Sequence, residues 1–309
     1  MLVELRSRSP MLDLGFFRNR TFMGANTVGL LVSFGFFGIL FFLALFMQNV
    51  LGYSATGAGI RQLPTTLTVM VAAIASGRIV GRIGARAPIT VGMILLGTAI
   101  LLFTTVQSTS TYSSFWWMLV IMGLGNGLVM SPITTAVMST VPARRAGMAS
   151  ATSNTMRQVG GVFGIAVLGA VVTSRFSAQL TQALAKLKLP PAVADSIATV
   201  AHRGQESVSL PSLPGLDVSQ IRQAIFDSFT SGLHLGLWIC GAVVLLGAAV
   251  SFVFIRGTSP AAQWARREAE TRTVEAQAAP LYAEPTIEAT SCIEAAGQTD
   301  FSRSTVSNL

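Results

Sequence analysis

Apolar residues along the chain run in long blocks separated by short polar or basic stretches. Six blocks, at about 22–50, 57–77, 88–108, 115–138, 147–173 and 231–255, are nearly free of charge and do not alternate. A helix crossing a bilayer needs about 20 mostly apolar residues, so each block predicts one spanning helix. A membrane β-barrel would instead show segments of about ten residues with alternating polarity. The predicted fold class is therefore an all-α membrane protein with six transmembrane helices over 22–255. A large external segment, about 174–230, carries apolar residues at helical spacing at each end: Phe176, Leu180, Ala183 and Leu187, then Val218, Ile221, Ile225 and Phe229. These predict surface or interfacial helices separated by the breakers LPP and LPSLPG. Residues 1–21 read as a polar, basic lead-in. After Gly257 the chain turns polar and aperiodic, which predicts a disordered tail over 256–309.

Composition supports a lipid setting. The chain is 11% charged and 51% hydrophobic, with mean hydropathy +0.61, whereas a soluble domain carries about 25% charged residues. The net charge of +8 raises nucleic acid as a partner, but the position of the cations points elsewhere. Arg6, Arg8, Arg18 and Arg20 precede the first span, and Arg78, Arg82 and Arg86 lie between the second and third. Arg144 and Arg145 lie between the fourth and fifth, and Arg256, Arg266, Arg267 and Arg272 follow the sixth. The loops LGYSAT and STSTYSS on the other side carry no charge. Basic residues mark the cytoplasmic side, so both termini are expected in the cytoplasm of a multi-pass cell-membrane protein, with no nucleic-acid partner. Cys240 in the last span and Cys292 in the tail are not expected to pair. No cleavable signal peptide is visible in MLVELRSRSP, so the first span is expected to act as the insertion signal.

The stretch SNTMRQVGG (Ser153 to Gly161) places a permanent cation inside the fifth apolar block. Gly147, Ser150, Asn154, Arg157, Gly161, Gly164 and Leu168 follow one another at steps of three and four and share one helix face. The opposite face carries Met148, Thr152, Val159, Phe163, Ala166 and Ala170. A mid-membrane charge costs at least about 2.5–3.5 kcal/mol on insertion scales, so Arg157 should point into the bundle or a wet cavity. Two readings stand: a structural arginine bonded to backbone carbonyls of neighbouring helices, or a residue lining a transport pathway with Asn126, Ser150, Asn154 and Gln158. In the fourth span, Gly123, Gly127 and Ser131 form a small-residue ladder at intervals of four that lets helices approach. Pro132 removes a backbone donor there. Pro64 similarly marks the second span, where Arg61 can snorkel to the outer interface. The segment GRIVGRIGARAP (Gly77 to Pro88) reads as two short turns with Gly77, Arg78, Arg82, Gly84 and Arg86. Its guanidiniums are placed to cap helix C-termini or meet carboxylates of a neighbouring half as a cytoplasmic gate.

These motifs carry a family resemblance. SGRIVGRIGARAP resembles the second-half copy of the helix-two/three loop motif of the major facilitator superfamily. Together, LDLGFFRNRTFMGAN, FMQNVLGYSATGAGIRQLP and GLGNGLVMSP…VPARRAGMASATSNTMRQVGGVFGIA resemble its fourteen-span drug/proton antiporter branch, whose members export cationic or amphipathic compounds in exchange for protons. The resemblance covers about residues 11–256 and corresponds to the carboxy-terminal six helices, one half of the fold with a three-plus-three inverted repeat. At Gly81 the chain departs from the family's loop aspartate, removing the carboxylate on which a charge relay there would rest. The amino-terminal spans, their fuller loop motif and the antiporter motif of the fifth helix are absent.

All 13 acidic residues fall outside the cores of the six spans, which leaves His234 as the nearest titratable group. The resemblance implies a transporter half that is inactive alone, lacking its amino-terminal half or a second copy. The alternative is a six-span receptor or assembly subunit acting as a homodimer. No Gly-x-Ser-Gly, His-Glu-x-x-His or phosphate-loop motif is present. An enzyme is therefore not expected, nor a cofactor or metal.

Overall fold

The computed structural model describes residues 16, 18–107, 110–186, 218–255, 269 and 272. The chain divides into two units, Met1–Thr258 and Ser259–Leu309, and all helices named below belong to the first. All of the expected disordered tail but Ala269 and Arg272, most of the lead-in and residues 187–217 of the external segment lie outside the described residues.

The apolar blocks are helices: α1 (Arg20–Asn49), α2 (Ala55–Arg61), α3 (Leu63–Ile83), α4 (Arg86–Leu102), α5 (Tyr112–Met138), α6 (Ala146–Lys186) and α7 (Val218–Phe254). Among the described residues, six helical segments are long and apolar enough to cross a membrane, with α2 and α3 together forming the second. Without water, every backbone N–H and C=O must be satisfied within the segment, and helices do this for six blocks that share no alternating pattern. Local chemistry sets the ends. Asn19 accepts a hydrogen bond from the Thr21 N–H at the start of α1, and Ser54 caps α2 by accepting from the Gly57 N–H.

The packing carries the inverted repeat. α1 lies along α6 as α3 lies along α5; α4 packs on α5 as α7 packs on α1; α4 packs on α7, and α1 touches α5. Exchanging α1 with α5, α3 with α6 and α4 with α7 maps these pairs onto one another. The exchanged helices run in opposite directions through the bundle, so the repeat is inverted. The largest departure from the symmetry is that α6 packs closely on α7, whereas α3 barely touches α4. Gly232 and Gly236 bring α7 against Leu168 and Val172 of α6, and the contact continues where both helices run past the apolar blocks.

There the structure differs from the expectation of interfacial helices apart from the spans. Phe176 and Leu180 are buried on a continuation of α6, and the Phe176 and Phe229 rings meet edge to face, 6.5 Å between centroids. A long apolar stripe on each helix makes packing on the other more favourable than lying on a membrane surface.

A second difference concerns GRIVGRIGARAP. Gly77, Arg78, Gly81 and Arg82 are inside α3, not in turns, and only Gly84, at φ +82°, breaks the helix. Glycine weakens a helix by about 1 kcal/mol in water, but at membrane depth the unmade backbone bonds outweigh that.

Candidate pathway face and helix seams

Helix contact in this bundle is built on missing side chains. A Cβ at Gly160 would fall on the Leu30 carbonyl oxygen, and one at Gly164 on that of Phe34, so α6 lies directly against the backbone of α1. On the other side of the repeat, Gly123 abuts Thr65 and Gly127 abuts Val69 and Ala72 of α3. Ser131 completes that ladder, its Oγ 3.5 Å from the Cβ position of Gly77. Pro132 is buried within α5. Gly161 faces the Phe37 ring, 3.1 Å from its Cβ position.

Close approach of α1 and α6 fixes where Arg157 can go. By helical rise the residue stands about 16 Å along α6 from Ala146, at the edge of the packed face. Ala149, Thr152, Gly160 and Gly164 are buried, while Asn154 and Gln158 are exposed and Arg157 is half-buried. Its stem lies in the space left by Gly29 of α1, with Cγ 3.4 Å from that residue's Cβ position. The guanidinium donates to Asn154 Oδ1 at 2.9 Å through one terminal nitrogen. Through the other it reaches Met130 Sδ of α5 at 3.3 Å. A guanidinium has five N–H donors; no backbone carbonyl of α1 or α5 takes any of them among the described residues. Arg157 thus bridges α6 to α5 through one weak thioether acceptor and keeps most of its donors unpaired.

Polar groups extend from this point in both directions. Toward the arginine-rich end, Ser153 Oγ donates to Asn26 Oδ1 at 2.7 Å, and Asn26 Nδ2 donates to the Phe22 carbonyl at 2.9 Å. Toward the far end stand Ser33, four residues beyond Gly29, and Asn126, four before Met130. α1 and α5 run oppositely, so both lie one turn farther along the seam. Ser33 Oγ and Asn126 Oδ1 are buried without a hydrogen-bond partner among the described residues. Ser150, half-buried, and Gln158, exposed, make no side-chain hydrogen bond among the described residues.

The structure brings Asn154 and Arg157 together, places Asn126 a turn away on the facing helix, and leaves Gln158 on the open side. Sequence reasoning missed Asn26, Gly29, Met130 and Gly160. The signal for the first was available in TFMGANTVGLL, an amide in an otherwise apolar run. The others depend on which helices meet.

The proposed gate residues are differently placed. Arg78 and Arg82 are exposed, and neither caps a helix among the described residues. Arg86, the first residue of α4, stacks on Phe252 of α7 at 4.1 Å from the ring centroid. At the far end Arg61 is more than snorkelled. Its guanidinium lies 3.7 Å over the Tyr53 ring and donates to the Gly57 carbonyl at 3.2 Å, while Tyr112 O–H donates to the Arg61 carbonyl at 2.9 Å. His234 Nε2 lies 2.7 Å from the Val106 carbonyl. A carbonyl only accepts, so Nε2 carries the proton and ties α7 to the end of α4.

Comparison with known proteins agrees with this architecture. The chain is 32% identical over 263 residues to a tetracenomycin C resistance and export protein of Streptomyces glaucescens, covering 84% of this chain and 48% of that one. It is 39% identical over 185 residues to a multidrug resistance protein of Mycobacterium tuberculosis, covering 58% and 33%. With a multidrug efflux pump of Mycolicibacterium smegmatis it shares 28% identity over 252 residues, covering 81% and 49%. The chain spans about half or less of the length of these relatives. The pattern of one family matches residues 4–165, more than half of the chain, and so this six-span helical membrane protein belongs to the Major Facilitator Superfamily.

Proposed function

We propose that the chain is the carboxy-terminal six-helix bundle of a fourteen-span, proton-coupled multidrug antiporter, and that it exports nothing without a second bundle. The observation that carries this is Arg157: a half-buried cation between α1, α5 and α6, held by an amide and a thioether, with unpaired donors. Such a group needs water, substrate or a facing helix. In this reading Asn126, Ser150, Asn154, Arg157 and Gln158 line the substrate path. The unpaired N–H groups select amphipathic compounds presenting oxygen acceptors, and a cationic part of such a compound lies away from the guanidinium.

Alternating access requires one bundle to rock against another around a site between them. The exposed faces of α3 and α6, counterparts under the repeat, receive that second bundle, supplied by an amino-terminal half or by another copy. The arginine-rich end faces the cytoplasm, where Arg78 and Arg82 meet carboxylates of the partner as a gate. Proton exchange needs a titratable group in the membrane. Among the described residues the one acid, Asp227, stands exposed near the outer end of α7 and not at mid-depth, so the proton site belongs to the other bundle.

The test is dye efflux from cells carrying this chain alone or together with an amino-terminal half, with and without a pH gradient. Efflux restored only by the pair, and dependent on the gradient, is expected. Gradient-driven efflux by this chain alone, lost on Arg157 substitution, would instead establish a homodimeric transporter.

A further inference from the structure

α4 and α7 are counterparts under the repeat, pack on one another and leave the faces of α3 and α6 free for a second bundle. Each also carries an uncovered apolar stripe: Ala87, Val91 and Ile94 on α4, and Leu246, Ala249, Phe252 and Val253 on α7. The helices run oppositely, so both stripes arrive together at the arginine-rich end. One turn inside that end, the hydroxyls of Thr90 and Ser251 lie 3.1 Å apart and join the two helices.

At the end itself, the Arg86 guanidinium covers the exposed Phe252 ring. Its Nε is buried and has no hydrogen-bond partner among the described residues. The start of α4 has no side-chain cap, so its first N–H groups add positive field to that of the guanidinium. A second cation stands nearby: Arg20 is exposed one turn before Gly24, whose Cβ position is 2.6 Å from Phe254. Among the described residues no carboxylate compensates them. Among the described residues the one acidic side chain is Asp227, exposed near the opposite end of α7.

We propose that this seam binds one anionic phospholipid, its phosphodiester on Arg86 and its acyl chains along the stripes of α4 and α7. Two apolar stripes headed by an uncompensated guanidinium complement an amphiphile with an anionic head, at the depth where a bilayer places one. Stacking on Phe252 holds the cation flat, so its free N–H edge, not its face, meets the phosphate oxygens. The site is independent of transport and of which leaflet the arginine-rich end occupies.

The experiment uses the full chain purified in mild detergent. Phosphatidylglycerol and phosphatidylcholine with the same acyl chains are titrated in, and retained lipid is counted by native mass spectrometry while thermal unfolding is followed. Preferential retention of phosphatidylglycerol is expected, and Arg86→Gln should lower that preference about fivefold, the usual contribution of one arginine at a membrane surface. Phe252→Leu, at an exposed position, should lower it about twofold or more through loss of the ring under the cation. It decides the matter if the arginine variant does not fold. Equal retention of the two lipids by the unaltered chain, or an unchanged preference in Phe252→Leu, overturns the proposal. So does equal stabilisation by inorganic phosphate in lipid-free micelles, which would make this a free-anion site.

Discussion

Replacing Gly160 by alanine would set a methyl group against the backbone of α1. Besides the Leu30 carbonyl oxygen, the new carbon would meet the carbonyl carbon at 2.9 Å and the Cα at 3.0 Å. Carbon atoms pack at about 3.5–4.0 Å, so α6 must back away by roughly 0.5–1 Å. A gap of that width forfeits about a quarter to a half of each contact's attraction, along a seam that includes Gly164 on Phe34 and the Ser153–Asn26 hydrogen bond. Overpacking of this kind costs about 1–3 kcal/mol. The control lies on the same helix: at Gly169 the nearest atom to a new Cβ is Phe42 Cζ, at 3.8 Å. Both substitutions carry the same gain in helix propensity, at most about 1 kcal/mol, so their difference isolates the clash. In thermal unfolding in mild detergent, Gly160→Ala should melt below the parent and Gly169→Ala at or above it. Equal melting of the two variants would refute backbone contact between α1 and α6, and with it the placement of Arg157 against Gly29.

Arg157→Leu should leave the amount of folded protein unchanged or higher, since it removes an insertion penalty of about 2.5–3.5 kcal/mol and few bonds, yet abolish efflux by the assembled pair. A fall in folded protein on quantitative gel filtration would show a structural arginine instead. Tyr112→Phe removes the hydrogen bond to the Arg61 carbonyl and should destabilise by about 0.5–1.5 kcal/mol. Arg61→Gln, which also strips the Tyr53 stack, should lower the melting point further; a silent Arg61→Gln would contradict the clasp. Single cysteines at Ser110 and Gln205 should react with impermeant reagents from outside the cell, and labelling only from the cytoplasmic side would reverse the topology.

The spans were readable because membrane insertion imposes one rule on every residue of a block, and blocks of that length have a single solution. Their partners were less so. The ladder of Gly123, Gly127 and Ser131 announces a close approach but not that Thr65, Val69 and Gly77 lie opposite, since any helix backbone would fit. Gly161 shares a face with Arg157 in the sequence and meets the Phe37 side chain of α1 in the structure. The closest approach falls on its neighbour Gly160, since the packed face of α6 drifts as the helix winds along α1. In GRIVGRIGARAP the glycines suggested turns by the rules of water-exposed chains, and those rules weaken where unmade backbone bonds cannot find solvent.

Arg157 shows the same boundary from the chemical side. That a cation lies at mid-depth follows from position alone, and that it must face inward follows from its hydration. What it does depends on its acceptors, which sequence cannot count. An arginine locking the bundle would spend its donors on carbonyls of other helices, the way the Tyr112 hydroxyl of α5 bonds the Arg61 carbonyl of α2. Arg157 instead meets the amide of its own helix and a methionine sulfur, with orphaned oxygens of Ser33 and Asn126 one turn along the seam. In the proposed pathway reading, a group kept charged, half-open and under-bonded at that depth is arranged to bond something that comes and goes. Under the proposed function that visitor is a solute and not a proton, because a guanidinium stays protonated in proteins. On that reading the cation holds an oxygen-bearing solute, and the coupling chemistry belongs to the second bundle proposed to cover α3 and α6.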